Sequence, residues 1–198
     1  MEDRDDLPES EGVNLQRFKA TPERLNFIAN KFDITVDSVE KIAQVYQEIS
    51  EGIKYQYLAH VIRTVEAEIR KQQGFELFQI QCVPVTDDST PCGFGSAQYY
   101  EGHIYIIYYD SKMDEKQLRI VIAHELGHLV VETILKGDLP SNQSSEPLSS
   151  IFGILAILDK NDFYHSPLSR YQHSSAEEII NEFILLRNRA RQRYNISD

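Results

Sequence analysis

The sequence predicts an α+β fold in which a helical N-terminal region, a small three-stranded antiparallel sheet and a helix-rich C-terminal part follow one another. Three observations carry this reading. Apolar residues recur at three-to-four spacing over about residues 21–72, the period falls to two between Phe75 and Tyr109, and helical spacing returns at Asp114 in a long apolar run. With 198 residues, 41% of them hydrophobic and 26% charged, the chain has the size and composition of an ordinary globular domain or of one domain with a helical appendage.

The first dozen residues hold seven ionisable side chains, so residues 1–20 read as an acidic tail that buries too little to offset its own ordering. Helical spacing then begins at Thr21-Pro22 with Leu25, Ile28 and Ala29, breaks near Asp33, and resumes with Val39, Ile42, Val45, Tyr46 and Ile49. After Gly52 a third run places Ile53, Tyr57, Val61, Ile62, Val65 and Ile69 on one face. The helix–break–helix outline of LNFIANKFDITVDSVEKIAQVY is also that of a DNA-reading helix pair. Its turn, however, carries Asp33 where such turns often carry glycine, and residues 36–48 hold one lysine, Lys41, against three acids. Packing helices are expected instead.

Beyond Gly74, the run from Phe75 to Val85 is β-rich and closes in the turn-forming stretch DDSTPCGFG. Ser96–Tyr100 and His103–Tyr109 are two further aromatic and β-branched runs around Glu101-Gly102, a dipeptide suited to a tight hairpin. Asp114 and Gln117 form a capping box at the head of a helix running to about Leu135. Gly137 ends it. The polar stretch GDLPSNQSSEPLSS reads as an exposed, mobile loop, Ser149–Leu158 as a short buried helix, and Ser174 or Ser175 as the cap of a last helix.

Composition removes several function classes. The net charge of −11 disfavours nucleic acids and anionic lipid surfaces, whose phosphates attract basic proteins. No run approaches the ~18–20 apolar residues that span a bilayer, and the acidic opening MEDRDDLPESEG lacks the basic-then-apolar order of a secretory signal. A cytoplasmic protein without direct nucleic-acid or membrane partners is expected. The two cysteines, Cys82 and Cys92, are too few for a disulfide scaffold.

The chemistry lies in His124-Glu125-Leu126-Gly127-His128, an H-E-x-x-H motif inside a segment that is helical on independent grounds. At 3.6 residues per turn, positions i and i+4 share a face, so both imidazoles can address one ion, with zinc favoured by nitrogen and oxygen donors. Glu125, next to them, has the position of a general base that takes a proton from an attacking water and returns it to the leaving amine. The apolar residues Leu118, Val121, Ile122, Leu129 and Val130 bracket the motif, and burying two unpartnered histidines among them would be costly. A catalytic zinc site needs a third protein ligand, for which Glu132, His165, His173, Glu177, Glu178 and Glu182 are available.

From about Gly93 to Leu186 the chain resembles the ImmA/IrrE metallopeptidases of the glutamate-zincin type. The similarity rests on a strand pair ending in IYIIYYD, on RIVIAHELGHLV, and on Glu177-Glu178-Ile179-Ile180-Asn181-Glu182-Phe183-Ile184-Leu185-Leu186, set against the family pattern E-x-x-A-N-x-F-A-x-x-L-L. Ile180 and Ile184 stand where the family has alanines. The resemblance implies a zincin-like domain over residues 73–198, following the helical region of residues 21–72, with Glu177 on a second helix as third ligand beside His124 and His128. Asn181, His173 and Tyr171 would be oxyanion or second-layer donors. It further implies a Zn2+-dependent endopeptidase of narrow specificity acting on a protein substrate, a DNA-binding repressor among the family's habitual targets. The alternative is a non-proteolytic metal-binding regulator that works through protein–protein contacts.

Overall fold

The computed structural model describes residues 21–50, 58–86, 95–100, 103–135, 145–158, 179–185 and 188. Three helices come first: α1 (Pro22–Phe32), α2 (Val36–Ser50) and α3 (Leu58–Gln73). Asp33 separates α1 from α2 by taking the left-handed conformation, φ 53°, while the Ile34 amide reaches back to the Ala29 carbonyl at 3.1 Å. This closes the C-terminus of α1 and satisfies one of its orphan carbonyls. Thr35 then caps α2, its hydroxyl accepting from the Ser38 amide. Gly74, φ 68°, ends α3 in the same way, with Phe75 bonded back to Arg70.

The strands are β1 (Gln79–Val85), β2 (Gly95–Tyr100) and β3 (Ile104–Asp110), in the spatial order β1-β3-β2. Here the structure corrects the expectation of an antiparallel sheet. β2 and β3 are antiparallel, but β1 runs parallel to β3, with Gln79 beside Ile104 and Val85 beside Asp110. The cause lies in spacing and hydrophobicity. Residues 86–94 are too many for the two-to-five-residue loop of a hairpin, so nothing forces β1 to pair with the next strand. β3 buries Tyr105 and Ile107 and takes the central place, where it satisfies two neighbours. Opposite them stand Ile80 and Cys82 of β1 on the same face. On its outer edge β1 is held by α3, since the Ile80 amide donates to Glu66 Oε1 at 2.7 Å.

Two more helices, α4 (Glu115–Thr133) and α5 (Ser145–Leu158), complete the labelled elements, and residues 179–185 are also helical. The expected capping box is present on α4, with Asp114 and Gln117 bonding reciprocally. The expected loop over 137–150 is corrected at its far end, because residues 145–150 already form the first turns of α5. Glu146 and Pro147 in that first turn suit a helix start, and Leu148, Ile151, Phe152, Ile154 and Leu155 are fully buried behind them. The helix carrying the H-E-x-x-H motif, α4, touches β2 and β3, and its most extensive packing is with α5.

α5 is the centre of the molecule. Apolar around its circumference, it meets α4, α2 and α3, and Phe152 stands edge-on to Tyr46 of α2 at 5.7 Å. One hydrophobic core therefore includes Leu25 and Phe32 of α1, Ile42 of α2, Val65 of α3, Ile107 of β3, Leu126 of α4 and Phe183. No described helix is long and apolar enough to cross a membrane.

α4 and α5 come close enough to exclude side chains. A Cβ on Gly127 would be 2.7 Å from Ser149 Cα and still nearer to its carbonyl oxygen, and one on Gly153 would be 2.7 Å from the Phe183 ring. Gly127→Ala should thus destabilise the protein by about 1–3 kcal/mol, outweighing the ~1 kcal/mol alanine gains over glycine inside a helix. Urea unfolding checks this, and an unchanged or raised midpoint would contradict the close approach.

Candidate metal centre

α4 places His124 and His128 one turn apart, and their rings stand nearly perpendicular, 88°, with centroids 4.7 Å apart. The two Nε2 atoms are separated by 3.1 Å. From the first turn of α5, Glu146 brings one carboxylate oxygen to each ring: Oε2 lies 3.4 Å from His124 Nε2 and Oε1 3.3 Å from His128 Nε2. The side chains of His124 and His128 are 20% and 16% exposed and that of Glu146 45%, so the cluster is partly open to solvent.

These distances fit a metal ion. Ligand atoms ~2.0–2.1 Å from a tetrahedral centre stand about 3.3 Å apart; the two imidazole nitrogens, 3.1 Å apart, approach that edge, and each faces a different oxygen of Glu146, at 3.4 and 3.3 Å. His124, His128 and Glu146 form a group of two imidazoles and a carboxylate that could hold an ion. The donor chemistry, nitrogen with oxygen, is that of a His2Glu site.

Electrostatics follow from the same proximity. Hydrogen bonds from His124 and His128 hold the Glu146 carboxyl far below the usual carboxylate range, despite its partial burial. Burial alone would lower His128, but the Glu146 hydrogen bond and the charges of Glu146, Glu125 and Glu132 outweigh it and raise this imidazole above its ordinary value. Glu125 is raised as well, because desolvation outweighs the favourable field of the two histidines. A carboxylate raised toward neutrality is better matched to giving and taking a proton near physiological pH. Its backbone is fixed by the sheet, as Tyr105 of β3 donates its hydroxyl to the Glu125 carbonyl at 3.2 Å.

Among the residues singled out in the sequence, the structure brings His124 and His128 together with Glu125 between them. Glu132 is exposed one turn beyond His128, and Asn181 is exposed in the helical stretch that buries Ile180 and Phe183. Glu177, Glu178, His165, His173 and Tyr171 lie outside the described residues. Sequence reasoning missed Glu146. It was placed in a loop, although Ser145-Glu146-Pro147, with an acid and a proline where a helix opens, is the signal that would have put a carboxylate at a helix start.

Comparison with known proteins gives one positive finding. The model of the peptidase M78 family, described as the IrrE N-terminal-like domain, matches residues 90–197, more than half of the chain. No curated protein and no solved structure matches.

Metal and protons compete for the same nitrogens, so affinity depends on pH. As pH rises through the elevated His128 value the ring becomes neutral and free to bind, and below it each pH unit should cost roughly tenfold in affinity for the one proton displaced. Chelator-competition titrations with zinc between pH 5.5 and 8 should put that bend above the ordinary histidine value of 6.5. A bend below 6.5 would mean that Glu146 does not support His128 in solution.

Proposed function

The chain belongs to the IrrE N-terminal-like family of M78 peptidases, and on that premise we propose that it is a zinc-dependent endopeptidase with Glu125 as general base. The observation that carries this reading is the convergence of two imidazole nitrogens, 3.1 Å apart, and the Glu146 carboxylate, whose oxygens lie 3.3 and 3.4 Å from them, beside that glutamate. Bound zinc would supply an activated water and a Lewis acid for the scissile carbonyl. The chain's own residues do the rest. His124 and His128 hold the ion from one helix face, and Glu125 takes a proton as the bond to carbon forms, then delivers it to the departing amine.

Two carboxylates compete for the third protein ligand. The geometry supports Glu146, which already contacts both rings. The resemblance of residues 177–186 to the family pattern supports Glu177. A hydrolase needs an open position for water, so only one of them stays bound during turnover. If both bound, the ion would have four protein ligands and a structural character, which is the basis of the second reading, a metal-binding regulator acting through protein contacts. Asn181, His173 and Tyr171 remain as donors toward the oxyanion in the first reading. The substrate is a protein cleaved at few sites. A net charge of −11 favours a basic partner such as a DNA-binding repressor.

Glu125→Gln should keep about one zinc per chain and lose roughly 10²–10⁴-fold in peptide hydrolysis, the usual contribution of a positioned acid–base group. Full activity in that variant would remove the hydrolase assignment. Elemental mass spectrometry of Glu146→Gln and Glu177→Gln assigns the third ligand to whichever variant loses zinc. Loss in both favours the closed site and the regulator, and loss in neither overturns the three-ligand centre.

A further inference from the structure

We infer that Ser150 is a positioning residue for the metal centre: its hydroxyl accepts the Nδ1 proton of His124 and so keeps the Nε2 lone pair of that ring turned toward the ion. The inference rests on the metallopeptidase reading and names a residue that the H-E-x-x-H pattern does not contain. Ser150 lies on α5, one turn after Glu146, and is 1% exposed. Its Oγ stands 3.2 Å from His124 Nδ1 and 3.1 Å from the Glu146 carbonyl oxygen.

The proton count closes in one way once an ion is bound. An imidazole that binds through Nε2 and stays neutral carries its hydrogen on Nδ1. That hydrogen needs an acceptor, and Ser150 Oγ is within reach. The serine's own hydrogen then goes to the Glu146 carbonyl, which lies at hydrogen-bond distance. The chain His124 Nδ1–H to Ser150 Oγ–H to Glu146 O leaves none of the three groups unsatisfied. It also ties the orientation of a ligand on α4 to the turn of α5 that presents Glu146. Partners of this kind fix the tautomer and ring plane of metal-binding histidines, and removing them commonly costs 10–100-fold in metal affinity.

The neighbouring residue provides the control. Ser149 is equally buried, and its hydroxyl bonds back to the Ser145 carbonyl at 2.8 Å, the local habit of serine in a helix. Ser149→Ala and Ser150→Ala therefore delete the same kind of helix bond, and only the second also deletes a contact to His124.

The experiment measures zinc affinity by chelator competition for wild type and both alanine variants, together with the 15N-resolved imidazole N–H signals of the zinc-loaded proteins. Ser150→Ala should bind zinc 10–100-fold more weakly, with Ser149→Ala unchanged. The His124 Nδ1 proton should be protected from solvent exchange in wild type and Ser149→Ala and lost to exchange in Ser150→Ala. Equal effects of the two variants on affinity, or a wild-type Nδ1 proton that exchanges freely, would overturn the positioning role while leaving the metal site standing. The wild-type signal decides even if Ser150→Ala does not fold. A wild type that binds no zinc would instead bring down the metallopeptidase reading, and the role of Ser150 with it.

Discussion

The contact between α4 and α5 at Gly127 is the constraint on which the rest of the molecule depends. Because Gly127, the fourth residue of the H-E-x-x-H motif, has no side chain, the Ser149 backbone can lie against it. That approach seats α5 as the central helix and brings the α5 N-terminal turn level with the two imidazoles. Glu146 reaches the motif from this turn and Ser150 from the next. A wider helix crossing would leave the histidines on the same face of α4 with nothing opposite them. The glycine thus sets, through packing, which neighbouring helix stands opposite the two histidines.

Close packing also decides the charge states. Glu125 is pushed toward neutrality by burial, while Glu146, whose charge acts on it, is held ionised by the histidines that it bonds. Two carboxylates in one site are driven apart in acidity by different surroundings. The sheet contributes by anchoring the Glu125 backbone through Tyr105, so the turn of α4 that holds the motif is fixed from two sides.

Much of this was legible in the sequence because it is local. Asp33 as a break, Asp114 with Gln117 as a cap, the three N-terminal helices and the histidine spacing all follow from short-range rules that tertiary context did not override. What could not be read was long-range. The parallel pairing of β1 with β3 depends on which strand is buried most deeply, which no window of residues reveals. Glu146 escaped for a related reason: its start-of-helix signal was hidden in a polar run, and its value comes from a helix 18 residues away in sequence. That α4 packs most on α5 was equally out of reach, since α5, apolar around its circumference, gives no single face by which to orient it.

The hydrogen bond from Ile80 to Glu66 and the docking of α2 on α5 have a consequence for how the family segment can exist on its own. Residues 90–197 match the family, yet β1, which pairs along one side of β3, and Tyr46, whose ring meets Phe152, both precede residue 90. Excised at that boundary, the family segment would present a bare strand edge and an unpaired helix flank to water. The helical region ahead of it supplies a wall of the same core, so the limits of the recognisable segment are limits of resemblance and not of cooperative folding.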